Sequence, residues 1–159
     1  MHFAAYYGNT ELAQKLIEYD AADVSAKDEA GITPLYLASE GHYPKDCSIH
    51  RLLLELGADV NARANNGWTP LHNASTYGNP EVVCVLLERG ADINARAEDD
   101  STPLHRASCS SNETLEVVRL LLENGADAKA KDKDGKIALQ VLWPGKDEVG
   151  KLLLECEAK

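Results

Sequence analysis

One phrase keeps returning along this chain. Gly67-Trp-Thr-Pro-Leu-His72 recurs as Asp100-Ser-Thr-Pro-Leu-His105, and Gly31-Ile-Thr-Pro-Leu-Tyr36 precedes both. A second phrase keeps step with it: Leu53-Leu-Glu-Leu-Gly-Ala-Asp-Val-Asn61, Leu86-Leu-Glu-Arg-Gly-Ala-Asp-Ile-Asn94 and Leu121-Leu-Glu-Asn-Gly-Ala-Asp-Ala-Lys129. The position of His72 falls at His2, Tyr36, His72, His105 and Gln140, spaced 34, 36, 33 and 35 residues apart. A steady period of this length means a stack of like units, each too small to bury its own apolar face.

One unit, residues 64–96, shows what each must fold into. Thr69 is placed to cap a helix, with Pro70 at its first position, where the missing N–H costs nothing. His72, Ala74 and Ser75 make a short first helix that Tyr77-Gly78 closes. Asn79 caps a second helix, again with proline (Pro80) first, and Gly90 provides the left-handed stop. Val82, Val83, Leu86 and Leu87 recur at three- and four-residue spacing, so they form one buried stripe. The same columns hold Leu16, Leu53, Leu86, Leu121 and Leu153, and Ile17, Leu54, Leu87, Leu122 and Leu154. Ala38, Ala74 and Ala107 keep the first helix thin enough for close approach.

The Thr-Pro-Leu-His phrase and the gapless 33-residue unit at 67–99 resemble the ankyrin repeat, and the resemblance runs over nearly the whole chain. It implies an all-α repeat solenoid of stacked helix–turn–helix units with β-hairpin or finger loops. The expected division is a partial first repeat (1–27), repeats at 28–63, 64–96 and 97–131, and a divergent C-terminal capping repeat (132–159). His2, His72 and His105 are expected to hold finger to helix through ring hydrogen bonds, as in the family. The opening Met1-His-Phe-Ala-Ala stands inside a unit, which reads as a cut from a longer protein.

Departures from the pattern mark particular places. Three extra residues fall around His42 to Ser48 and two around Cys109 to Glu113. His42, Asp46, Cys47 and His50 are the only ligand-type cluster, and zinc accepts such donors. The stronger reading puts His50 at the core edge, in the column of Val83 and Val118, so no metal is expected. In the last unit Ile137-Ala-Leu-Gln140 replaces Thr-Pro-Leu-His, and Trp143 is expected to cover the exposed end of the core.

Composition narrows the function. The 16 Lys and Arg against 26 Asp and Glu give a net charge of −10. That argues against nucleic acid and anionic membranes, whose affinity comes from cations. No apolar run is long enough to span a bilayer. Cys47, Cys84, Cys109 and Cys156 form no CxxC pair and read as free thiols in the cytoplasm, with the nucleus as the alternative. Phosphate-loop, dinucleotide, zinc-protease and nucleophile-elbow motifs are all missing, so neither catalysis nor a cofactor is expected.

Recognition remains, and the resemblance places it on finger tips and the inner face of the first helices. The candidate contact residues are Trp68, Tyr77, Arg106, Asn65, Asn66, Asn73, Glu98, Asp99 and Ser101. The first three lead, since Trp, Tyr and Arg are enriched among binding hot spots. The competing reading has Trp68 lying flat on a neighbouring finger. Acidic fingers at Asp28-Glu29 and Glu98-Asp99-Asp100 suit a protein partner with a basic patch, bound by a monomer. Two further readings stay open. Asn61 and Asn94 match the pattern hydroxylated in ankyrin-like proteins, and the chain suits a targeting or autoinhibitory segment of a larger enzyme.

Overall fold

The structure, a computed structural model, describes residues 1–40 and 47–157. Each Thr-Pro-Leu phrase opens a short helix: α3 (Pro34–Ala38), α5 (Pro70–Tyr77) and α7 (Pro103–Cys109), with α1 (His2–Tyr6) in the partial first unit. Each is followed by a second helix: α2 (Thr10–Asp20), α4 (Ser48–Glu55), α6 (Pro80–Glu88), α8 (Leu115–Glu123) and α9 (Asp147–Glu157). Thr33, Thr69 and Thr102 stand extended before the prolines, the conformation an N-cap needs. Asn79 accepts the Val82 N–H at 3.1 Å, and Gly78 ends α5 in the left-handed region. In the last unit a 3-10 turn (Ala138–Val141) stands for the first helix. There Gln140 takes over the histidine's local task, accepting the Ile137 N–H at 3.0 Å.

The first helices pack on one another in order, α1 on α3, α3 on α5, α5 on α7 and α7 on the 3-10 turn. The second helices form a parallel row behind them. Leu35, Leu71 and Leu104 from the repeated phrase, with Leu53, Leu86, Leu121 and Leu153 from the second helices, are all fully buried. Ala4, Ala38, Ala74, Ala107 and Ala138 line the seam between rows, where a larger side chain would push them apart. The core is therefore a ladder that runs the length of the stack, with no separate centre for any unit.

The fingers of the solenoid are short. No strand occurs among the described residues, so the hairpins are tight turns. In the third unit Ala64 N–H donates to Trp68 O and Gly67 N–H to Ala64 O, both at 2.9 Å, and the same pair recurs at each tip. Five residues closed by two hydrogen bonds leave no length for a ladder. Consecutive tips are joined by single backbone bonds: Asn65 to Ala30 (2.8 Å), Glu98 to Asn66 (3.0 Å) and Lys133 to Asp99 (3.0 Å). Gly31, Gly67 and Gly135 take a positive φ at the tips, and Asp100 does so in their place at 56°.

Trp143 corrects one expectation. Its side chain is 49% exposed, and the core is closed by Leu139 and Leu142 instead. What holds Trp143 is its backbone N–H, donated to Ser108 O at 2.9 Å. The 110–114 insertion ties three units together. Ser110 Oγ and Asn112 Nδ2 both donate to Thr76 O, at 2.6 and 2.9 Å. From the other side Lys146 Nζ donates to Thr114 Oγ1 at 2.7 Å and to Asn112 O.

Candidate protein-interaction surface

The histidines set the fingers against the helices. His72 Nδ1 accepts the Thr69 N–H at 3.2 Å, which leaves the proton on Nε2 to be donated to Ser101 O at 3.1 Å in the next finger. His105 repeats this with Thr102 and Lys136 O, at 3.3 and 3.0 Å. His2 Nε2 meets Ile32 O at 2.9 Å. Tyr36, in the same column, lies close enough to the Asn66 side chain at the next tip to be influenced by it.

Around His72 these ties close into a circuit. The Trp68 ring stacks on His72, centroids 6.2 Å apart, and the Arg106 guanidinium carbon lies 4.6 Å from the Trp68 centroid. Arg106 Nε donates to Ser101 Oγ at 3.2 Å and its Nη2 to Asp99 Oδ2 at 3.1 Å. Asp99 Oδ1 in turn accepts the Ser101 N–H at 3.1 Å and its hydroxyl. Trp68 is thus held between His72 and Arg106 and is half-buried. Arg106 is half-buried over it, presented with its orientation already fixed.

The electrostatics follow from this packing. Burial, reinforced by the charges of Arg106 and Arg63 against the bond to Ser101, lowers His72 to about 4. Desolvation would raise Asp99, but hydrogen bonds from Ser101 and Arg106 outweigh it and hold the carboxyl at about 2. Burial, then the charge of Glu40 and the Tyr77 hydroxyl, pushes Tyr36 up to about 12. Burial also raises Tyr77, with Glu40 and Tyr6 adding to it. Tyr36 and Tyr77 therefore both lie within reach of the Glu40 charge.

Other expected residues sort by position. Tyr77 is 38% exposed, and Asn65, Asn66, Glu98 and Asp99 are exposed at finger tips. Asn65 Nδ2 spends a bond on Glu29 O at 3.0 Å. Asn73 does not face the groove: it is 3% exposed and donates to Tyr36 O at 3.0 Å, stitching α5 to α3. Ser101 is likewise buried, acting through Asp99 and Arg106. Asn61 links its finger to the next unit, donating to Gly90 O (3.1 Å) and accepting the Asp92 N–H (2.8 Å). Asn94 accepts the Asp127 N–H at 2.9 Å in the same way. His42 and Asp46 lie outside the described residues. Cys47 precedes α4 and His50 is buried within it. No metal-holding group of three occurs among the described residues.

One structural feature beside this face escaped the sequence reading. Lys27 Nζ donates to Arg63 O (2.9 Å), Arg63 Nη2 to Arg96 O (2.6 Å) and Arg96 Nη1 to Lys131 O (2.5 Å). A cation at one column, 36, 33 and 35 residues apart, was the signal that could have found it.

Stacked helix pairs tied finger to helix define a repeat solenoid. The chain belongs to the ankyrin repeat family: residues 1–97 match Ankyrin repeats (3 copies) and residues 99–133 match Ankyrin repeat. Such repeats generally serve as protein–protein interaction modules and are typically non-catalytic. The chain is similar to human transient receptor potential cation channel subfamily A member 1, 37% identical over 89 residues, or 54% of this chain and 8% of that protein. It is 41% identical over 70 residues to human protein phosphatase 1 regulatory subunit 27, covering 44% and 43%. With rat 85/88 kDa calcium-independent phospholipase A2 it shares 34% over 86 residues, covering 54% and 10%. The matches span less than half the length of each relative. No helix among the described residues is long and apolar enough to cross a membrane.

Proposed function

We propose that this chain is a non-catalytic protein-binding module whose contact face is centred on Trp68, Arg106 and Tyr77, with Asn65, Asn66, Glu98 and Asp99 at its finger edge. The observation that carries the reading is the circuit Trp68–His72–Ser101–Asp99–Arg106, which fixes an arginine and an indole edge at the surface before any partner arrives. A side chain already held loses little freedom on binding, so its contacts count nearly in full. The partner is a protein with a basic patch, since Asp28, Glu29, Glu98 and Asp100 flank the face. The module acts as a monomer in the cytoplasm. The test is affinity capture from source-cell extract with wild type and Tyr77→Ala/Arg106→Ala, circular dichroism establishing that both fold. Loss of one specific protein from the variant supports the face; equal retention overturns it.

A second reading makes the chain the targeting or autoinhibitory segment of a larger enzyme, which similarity to one part of a phospholipase favours. The complete coding sequence decides it. Hydroxylation of Asn61 or Asn94 remains a third reading, checked by intact mass for one added oxygen. Their bonds to the next unit mean that a hydroxylase must first open a finger.

A further inference from the structure

We propose that the cleft between the 110–114 loop and the 143–147 loop is a second recognition site, taking an arginine side chain from a basic peptide segment of a partner protein. It lies at the ends of the first helices away from the fingers, and none of its lining residues belongs to the face above.

The cleft exists because two neighbouring units depart from the pattern together. In the third unit Gly78 and Asn79 join the helices in a tight turn, whereas α7 and α8 are joined by residues 110–114, and the 3-10 turn and α9 by residues 142–146. Between these longer loops lies a space of about 460 Å³, with Leu115, Val149 and Trp143 as apolar walls and Glu113, Asp147 and Glu148 at the rim. That is room for one long side chain and part of its backbone.

Three observations set the occupant's chemistry. Trp143 is excluded from the core and anchored through its main chain, so the exposed indole is left to the cleft as a wall. An indole face beside carboxylates favours a cation, and the planar guanidinium stacks best. Secondly, the rim is acidic and open: Glu113, Asp147 and Glu148 are all exposed. Glu148 holds Lys151 at 2.6 Å, an exposed pair that exchanges partners at little cost. Thirdly, Lys146 is the one cation among the lining residues, and its ammonium is turned away to Asn112 O and Thr114 Oγ1. Desolvation there lowers its pKa, with Glu113 opposing. The lysine braces the loop through these two bonds and offsets only part of the rim's negative charge, three carboxylates against one ammonium within the lining.

The test uses the full chain labelled with ¹⁵N. Its two tryptophans give two indole N–H signals, and Trp143→Phe identifies which is which. The probes are the blocked peptides Leu-Arg-Arg-Leu and Leu-Gln-Gln-Leu. The expected result is a saturable shift of the Trp143 indole with the arginine peptide alone, while Trp68 stays put. Glu113→Gln/Asp147→Asn should weaken binding by about fivefold or more, the unmoved Trp68 signal reporting an intact fold. Tyr77→Ala should leave binding unchanged. No Trp143 shift, an equal shift with the glutamine peptide, or unchanged affinity in the carboxylate variant would each overturn the proposal.

Discussion

His72 sits where a donor faces Nδ1 and an acceptor faces Nε2, so only the neutral ring satisfies both. Its pKa falls from 6.5 to about 4 in the fold. Between those values the unfolded chain binds a proton that the folded chain refuses. The stability from neutral His72 is thus complete above about pH 6.5 and lost as pH falls towards 4, on the order of 3 kcal/mol in all. Urea unfolding across that range should show this slope in wild type and lose it in His72→Gln, the residue that Gln140 already places in this column. The finger-tip glycines give a second expectation. A Cβ on Gly67 would stand 2.7 Å from Glu98 N with φ at 78°, so Gly67→Ala should cost about 2 kcal/mol or more. Asp100 bears the same left-handed strain natively, so Asp100→Gly should gain up to about 1 kcal/mol. Urea midpoints at unchanged slope check both.

At the scale of helices and fingers, the strongest expectations concern the side chains that cross from one unit to the next. Asn61→Ala removes one donor and one acceptor from the turn at Gly90–Asp92, and should cost about 1 kcal/mol. Hydrogen exchange at the Asp92 amide should quicken while α8 stays protected. Most of this architecture was legible, because caps, prolines and the leucine stripe act within a unit and recur in register. The ring-nitrogen ties of His72 and His105 were expected from the resemblance to the ankyrin repeat, since they reach into the next unit. Asn73 was not. Its column holds Phe3, Leu37, Asn73, Arg106 and Val141, which share no chemistry, and only the packed stack shows that the amide turns inward to Tyr36 O. Trp143 was misread because the last unit departs from the repeat, leaving no column to interpret it by. The cleft beside it arises from two irregular loops meeting, which neither loop announces alone.

Across the whole stack, stability is a sum of unit and neighbour terms. Leu86 is fully buried in the shared ladder, so Leu86→Ala should cost about 2–5 kcal/mol and loosen the units on both sides. Arg51–Glu88 and Arg89–Glu55 also cross between units, at 3.7 and 3.8 Å, but they are largely exposed and breaking either should change little. If the partner presents a basic patch, its affinity should fall as salt rises from about 0.05 to 0.5 M, measured by calorimetry. The histidine ties and the cation ties share one property. Ile32, Ser101 and Lys136 receive the histidine column, while Arg63, Arg96 and Lys131 receive the cations, in every case through the main-chain oxygen. Every amino acid carries that oxygen. A lineage can therefore exchange the side chain at a receiving position without cutting the tie, and a duplicated unit finds its acceptors ready wherever it is spliced in. The outward side chains are free to drift while the frame beneath them stays the same.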